Sequence, residues 1–230
     1  MIVITNQEYL YSIRKCYLFD GIKDEQLTEA IKLLNGRIRK VEKDDFIVQL
    51  GGVLRNAGLL LKGKIESSFQ NENYDQITMH TFGGGYLFGE AIVINSAKNS
   101  PVQVRAVEDS IVLFIDLSAI YQSEIASTLR MILAENLIKS LARKNLILNH
   151  KVRILSQKSL RDRILIYLGT LPKDKNSFVK IPFTQTALAE YLGVNRSALS
   201  RELGRMQNEG LLIVDKEKMK RIKKKQNKGT

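Results

Sequence analysis

From residue 117 to residue 168 the chain contains neither glycine nor proline. Those residues cost a helix interior about 1 and about 3 kcal/mol relative to alanine, so this stretch is free to be helical almost throughout. Ile125, Leu129, Ile132, Leu133, Leu137, Leu141 and Leu148 recur along it, mostly three or four apart. A helix with that stripe offers more apolar surface than one small neighbour covers. It is a candidate for pairing with its own copy in a second subunit, against the simpler packing onto its own domain. The run "HKVRILSQKS", residues 150–159, breaks the stripe and reads as a hinge. "SLRDRILIYLGTL" then forms another amphipathic helix, stopped near Gly169 and Pro172.

Charge divides the chain at the start of this segment. Residues 1–116 hold 13 Lys/Arg against 15 Asp/Glu, whereas residues 117–230 hold 23 against 9. A sign split this sharp assigns two jobs to two parts, the basic part facing a polyanion. Double-stranded DNA is the first candidate and an anionic membrane surface the second. No apolar run reaches the roughly 18 residues that span a bilayer. The opening "MIVITNQEYLYSIRKC" lacks a basic region before an apolar core, so it is not a signal peptide, and a cytoplasmic protein with no membrane partner is expected. Cys16 is the only cysteine and His80 and His150 the only histidines. One thiol excludes an iron–sulfur cluster and a four-cysteine zinc site. No catalytic or metal-ligating constellation is present, so neither an enzyme nor a cofactor is expected, haem included.

Before the long helix the period changes twice. "NQEYLYSIRKCYLF" and "KDEQLTEAIKLL" place Leu10, Ile13, Tyr17, Leu27, Ile31 and Leu34 at helical spacing. From residue 37 to residue 115, short β-type runs (46–50, 58–61, 64–69, 76–80, 102–107, 111–115) alternate with Gly, Asn and Asp turns. That rhythm predicts a small antiparallel barrel or roll. The fold class expected is α+β: an N-terminal double-stranded β-roll of the jelly-roll kind (1–116), a dimerisation helix (117–150) and a C-terminal winged helix-turn-helix (151–230).

The stretch "FTQTALAEYLGVNRSALSRELGRMQNEGLLIV", residues 183–214, is the most specific in the chain. Thr184 can cap a helix whose inner face is Leu188 and Leu192. Ala189 is small enough for a second helix to cross closely. Gly193 supplies the sharp turn, Val194 plugs the corner and Asn195 caps the next helix. Leu199, Leu203 and Met206 then face inward. Arg196, Ser197, Ser200, Arg201 and Arg205 are left outward or flanking, with Thr186 on the first helix and Asn195 at the cap completing the DNA-facing set. Arginine suits bidentate contact with guanine, and serines let a helix come close to bases or phosphates. "EGLLIVDKEKMKRI" follows as a helix end and a hairpin wing, and the tail "KEKMKRIKKKQNK" is basic enough to bind phosphate nonspecifically.

These segments in this order resemble the Crp/Fnr superfamily of bacterial regulators over residues 10–215. The likeness rests on "LLLKGKIES", the cassette "LFGE…VRAVEDSIVLFID", "LIKSLARKNLILNHKV" and "LAEYLGVNRSALSREL". It implies an effector-binding β-roll, a two-fold dimer along the long helices, and two winged helices reading a palindromic operator, with RNA polymerase a further partner. It places Arg196, Ser197 and Arg201 at base-reading positions; the catabolite activator has glutamate where this chain has Ser197, so the operator should differ. In the cassette, Gly89-Glu90 and Arg105-Ala106 keep the family frame. The Arg-Ser pair that clamps a cyclic phosphate in cyclic-AMP binders falls on Ser100-Pro101, and the adenine-contacting Thr-Ser pair falls on Leu148-Asn149. A buried phosphate without its guanidinium loses a charge-assisted contact worth about 2–5 kcal/mol. The resemblance therefore implies an effector at Gly89, Glu90, Ser100, Pro101, Leu148 and Asn149 that is not cyclic AMP, or no effector. A ligand-binding module acting through a protein partner, its DNA head vestigial, is the competing reading.

Overall fold

The computed structural model describes residues 6–70, 76–121, 127–215 and 217–222. The chain divides into two compact units, Met1–Arg143 and Lys144–Thr230. One helix, Thr128–Leu155, runs through most of the expected dimerisation segment and into the expected hinge.

In the first unit, helices α1 (Gln7–Lys15) and α2 (Asp24–Leu33) flank a short 3-10 turn, Tyr17–Phe19. Eight strands follow: β1 (Arg37–Val41), β2 (Phe46–Val48), β3 (Ala57–Lys62), β4 (Ile65–Gln70), β5 (Gln76–Phe82), β6 (Leu87–Phe88), β7 (Gln103–Ala106) and β8 (Ser110–Ile115). They form two antiparallel four-stranded sheets, ordered β1-β8-β3-β6 and β2-β7-β4-β5. This is the expected β-roll. Its interior holds Val41, Val48, Leu60, Ile65, Phe88, Val104, Ala106 and Val112, alternate residues of facing strands. A short helix α3 (Glu90–Ile94) lies between β6 and β7.

Helix α4 spans Thr128–Leu155. Ser127 starts it, its hydroxyl accepting from the Arg130 N–H at 3.2 Å. Ser156 and Gln157 end it, their side chains donating to the carbonyls of Val152 and Arg153, both at 2.8 Å. The expected hinge at 150–159 is thus helical through Leu155. Polar residues that satisfy the last carbonyls terminate it, without any glycine.

Most of the apolar stripe read from the sequence faces inward, and Leu148 is the one exposed member among the described residues. Leu129, Leu133 and Leu137 are buried in the first unit's own core with Ile13, Leu18, Phe19 and Leu113, and Ile132 and Leu141 pack against it. Ile125 lies outside the described residues. A different apolar line is exposed on the same helix: Met131, Ile138 and Val152 stand 67%, 67% and 54% accessible, with Leu148 at 60%. Met131, Ile138, Asn145 and Val152 are seven apart, and Ala134, Leu141, Leu148 and Leu155 follow each by three.

The second unit contains α5 (Leu160–Thr170), β9 (Val179–Lys180), α6 (Gln185–Tyr191), α7 (Arg196–Asn208), β10 (Leu212–Asp215) and β11 (Lys218–Arg221). The strands form one antiparallel sheet, β10-β11-β9, whose β10–β11 hairpin is the expected wing. Its core holds Ile164, Tyr167, Leu168, Leu188, Ala189, Leu192, Leu199, Leu203 and Met206. The basic residues 223–230 of the tail lie outside the described residues.

Candidate nucleic-acid interface and effector cassette

Local chemistry builds the α6–α7 pair as the sequence suggests. The Thr184 hydroxyl accepts from Ala187 N at 3.2 Å, and the Asn195 carboxamide accepts from Ala198 N at 2.8 Å. Between the helices Gly193 has φ +70°, a left-handed turn that a side chain would strain. Leu188 and Ala189 of α6, with Leu192 at its C-cap, meet Leu199, Leu203 and Met206 of α7 in the buried core. The opposite face of α7 is consequently exposed, and carries Arg196, Ser197, Ser200, Arg201 and Arg205; Thr186 of α6 and Asn195 at the cap are exposed as well. Among the described residues Arg196 and Arg201 make no ion pair, whereas Ser197 donates to Asn195 Oδ1 at 2.8 Å.

Two arginines of α5, not singled out from the sequence, hold this pair. Arg163 donates to the Leu192 carbonyl at the turn (3.0 Å) and to the Gln157 carbonyl (3.2 Å). Arg161 donates from Nε to Glu202 (2.8 Å) and from both terminal nitrogens to the two oxygens of Glu209 (2.7 and 2.8 Å). The Glu209 and Glu202 carboxylates hold the Arg161 guanidinium well above its ordinary pKa. Their sequence signal was the basic pair "RDR" on one helix facing "E……E" spaced seven apart on another, legible only once the two helices are known to touch.

Aromatic rings fill the corner beneath the turn: Tyr191 lies 5.4 Å from Tyr167 and 5.3 Å from Phe183. Burial pushes the Tyr167 phenol up to about 12. Lys151 sits 3.9 Å over the Tyr191 ring and donates to the Tyr191 carbonyl, and burial lowers its pKa.

In the first unit the cassette is closed upon itself. Gly89 caps α3 and Glu90 is buried. Ser100 is 2% exposed, and its backbone pairs with Gly51 and Gly52 (2.8 and 2.9 Å). Its hydroxyl donates to the Val102 carbonyl at 2.5 Å. Pro101 is exposed and has no N–H to offer. The cassette's guanidinium, Arg105, is engaged: Nη2 and Nε donate to Glu66 (2.7 and 3.1 Å) and Nη1 to Asp44 (2.9 Å). The remaining candidates, Leu148 and Asn149, are exposed on α4, in the segment that groups with the second unit. Asn149 donates to Asn145 at 3.4 Å. His150 is exposed, and the His80 side chain lies outside the described residues. No helix among the described residues is long and apolar enough to cross a membrane.

Comparison with known proteins matches residues 38–123 to the cyclic nucleotide-binding domain and residues 162–226 to the Crp-like helix-turn-helix domain. Among solved structures, the c-di-GMP responsive global regulator CLP of Xanthomonas campestris is similar at 18% identity, covering 86% of this chain and all of that one, with a TM-score of 0.55. CprK in complex with OCPA is similar at 19% identity over 85% of this chain and 88% of that one, TM-score 0.52. The catabolite activator protein of Thermus thermophilus matches at 22% identity over 90% and 93%, TM-score 0.48. At these identities CLP and CprK speak to the fold. No curated protein matches the chain in sequence.

Proposed function

This chain belongs to the Crp/Fnr superfamily and is a Crp-like DNA-binding regulator; from that premise we propose that it acts as a homodimer reading a palindromic operator. The observation that carries the proposal is the outer face of α7, where Arg196 and Arg201 stand exposed and free of ion pairs among the described residues. A second helix of this motif lies in the major groove, and arginine there pairs with guanine O6 and N7. Ser197, Ser200, Arg205, Thr186 and the α7 cap at Asn195 take the flanking base and phosphate positions. Half-sites then lie about 34–36 Å apart, or a multiple of that.

Dimerisation belongs to a heptad line of α4 that shares Leu141 and Leu148 with the stripe but not its buried residues Leu129, Leu133 and Leu137, Ala134 and Leu141 being half-buried where the line borders the core. Met131, Ala134, Ile138, Leu141, Asn145, Leu148, Val152 and Leu155 follow an a/d heptad pattern for over three heptads, the seam of a two-stranded coiled coil. Asn145 at an a position meets its own copy only when the helices run parallel and in register, a known use of a buried polar residue there.

The roll responds to an effector other than cyclic AMP, or to none. Supporting this, Ser100 and Pro101 offer a cyclic phosphate no cation, and Arg105 is already bound by two carboxylates. RNA polymerase is the further protein partner.

Footprinting on genomic fragments tests the reading. A protected palindrome is expected, with binding weakened at least tenfold in Arg196→Ala and Arg201→Ala, each contact being worth about 1–3 kcal/mol. Absence of a protected palindrome, with both variants indistinguishable from wild type, would sink it. Calorimetry with cyclic AMP should give no micromolar binding; a micromolar heat removes the reading of Ser100-Pro101.

A further inference from the structure

Arg205 is flanked on its own helix by two carboxylates, Glu202 three residues before it and Glu209 four after. Those are the spacings at which helix side chains meet, so either carboxylate can capture its guanidinium. Glu202 already comes within 3.8 Å of Arg205. Arg161 on α5 intercepts both. Its Nε takes Glu202 at 2.8 Å and its terminal nitrogens take Glu209 in a two-point contact. Glu202 is left 14% exposed, while Arg205 remains 71% exposed.

We infer that Arg161 is a positioning residue for DNA binding: by holding Glu202 and Glu209 it limits Arg205 to one long contact with Glu202, 3.8 Å, and leaves its guanidinium available to a phosphate. This rests on the reading of α7 as the DNA helix. The chemistry is partner exchange among fixed charges. With Arg161 present, two carboxylates share one guanidinium outside the groove, its planar fork matching both. Without it they turn along α7 to Arg205, and the helix loses one phosphate contact and presents one net negative charge to the DNA.

The test is the salt dependence of operator binding by the full-length protein. Each phosphate contact contributes about 0.9 to the slope of log affinity against log salt. Arg161→Ala should lower the slope by about 0.9, weakening binding about eightfold near 0.1 M salt, as Arg205→Ala does. Adding Glu202→Gln and Glu209→Gln to Arg161→Ala should restore the slope, although the ion pairs that brace the helices stay broken and the melting temperature does not recover. In an Arg205→Ala background the same three substitutions should leave the slope unchanged. A merely structural role for Arg161 predicts that slope and melting temperature fail to recover together, and that result overturns the inference. Failure of the glutamines to restore the slope while Arg161→Ala lowers it also overturns it, since Arg161 would then touch phosphate itself. Should Arg161→Ala not fold, Arg161→Lys carries the test: one ammonium cannot hold both carboxylates, and its slope should fall between wild type and Arg205→Ala. A wild-type protein that binds no duplex refutes the underlying reading; one that binds with an unchanged slope in Arg161→Ala refutes only this inference.

Discussion

Asn195 carries two duties with one side chain. Its carbonyl oxygen accepts from Ala198 N and from the Ser197 hydroxyl, both at 2.8 Å, so it starts α7 and fixes a serine on the exposed face. Asn195→Ala should cost about 1 kcal/mol of stability, the usual worth of a helix cap, read from urea midpoints. Asp116 plays a comparable part ahead of the 3-10 turn Leu117–Ile120, accepting from Ser118 N at 2.9 Å and Ser118 Oγ at 2.6 Å. The Ser118 hydroxyl, more than its backbone N–H, lowers the carboxyl pKa against the opposing effect of burial. A lowered native pKa means stability that is full above the unfolded value, about 3.9, and lost as pH falls through the native one. The gap in unfolding midpoint between wild type and Asp116→Asn should be constant above about pH 5 and narrow below about pH 4. A gap that widens on acidification contradicts the assignment.

At the scale of elements, α4 wears two apolar faces, and they make different predictions. Ile138→Glu, on the exposed line, should dissociate the dimer while leaving monomer stability near wild type, in sedimentation equilibrium paired with thermal melts. Leu133→Ala, on the buried line, should instead cost about 2–5 kcal/mol of folding stability. Asn145→Val should tighten association while admitting other registers or oligomers, seen as mixed species by native mass spectrometry. Sequence could show that α4 was apolar enough for two partners but not which residues each would take, because both faces share periods near 3.5. The α6–α7 pair was legible almost residue by residue, since caps, a turn glycine and an inward triad are local signals. Strand β1 was not seen: four of its five residues are exposed, and "RIRKV" on a sheet edge lacks the run of apolar residues that marks a central strand. The clamp at Arg161 escaped for a related reason, as its partners lie 41 and 48 residues away.

For the molecule as a whole, the net charge of +12 is concentrated in the chain's latter half. Operator affinity should therefore fall steeply with salt, with a log–log slope of about −0.9 for every phosphate neutralised. A slope near zero would indicate that the basic half merely keeps the protein in solution. One pair of hydrogen bonds fixes helix α4 to its own unit. Asn136 is buried on α4, and its Nδ2 donates to the carbonyls of Leu18 (3.1 Å) and Asp20 (2.7 Å). It acts as a key in a keyway: the shaft can neither spin about its axis nor slide by a turn, about 5.4 Å, without shearing both bonds. Those two bonds tie this stretch of α4 to the Leu18–Asp20 segment that precedes α2.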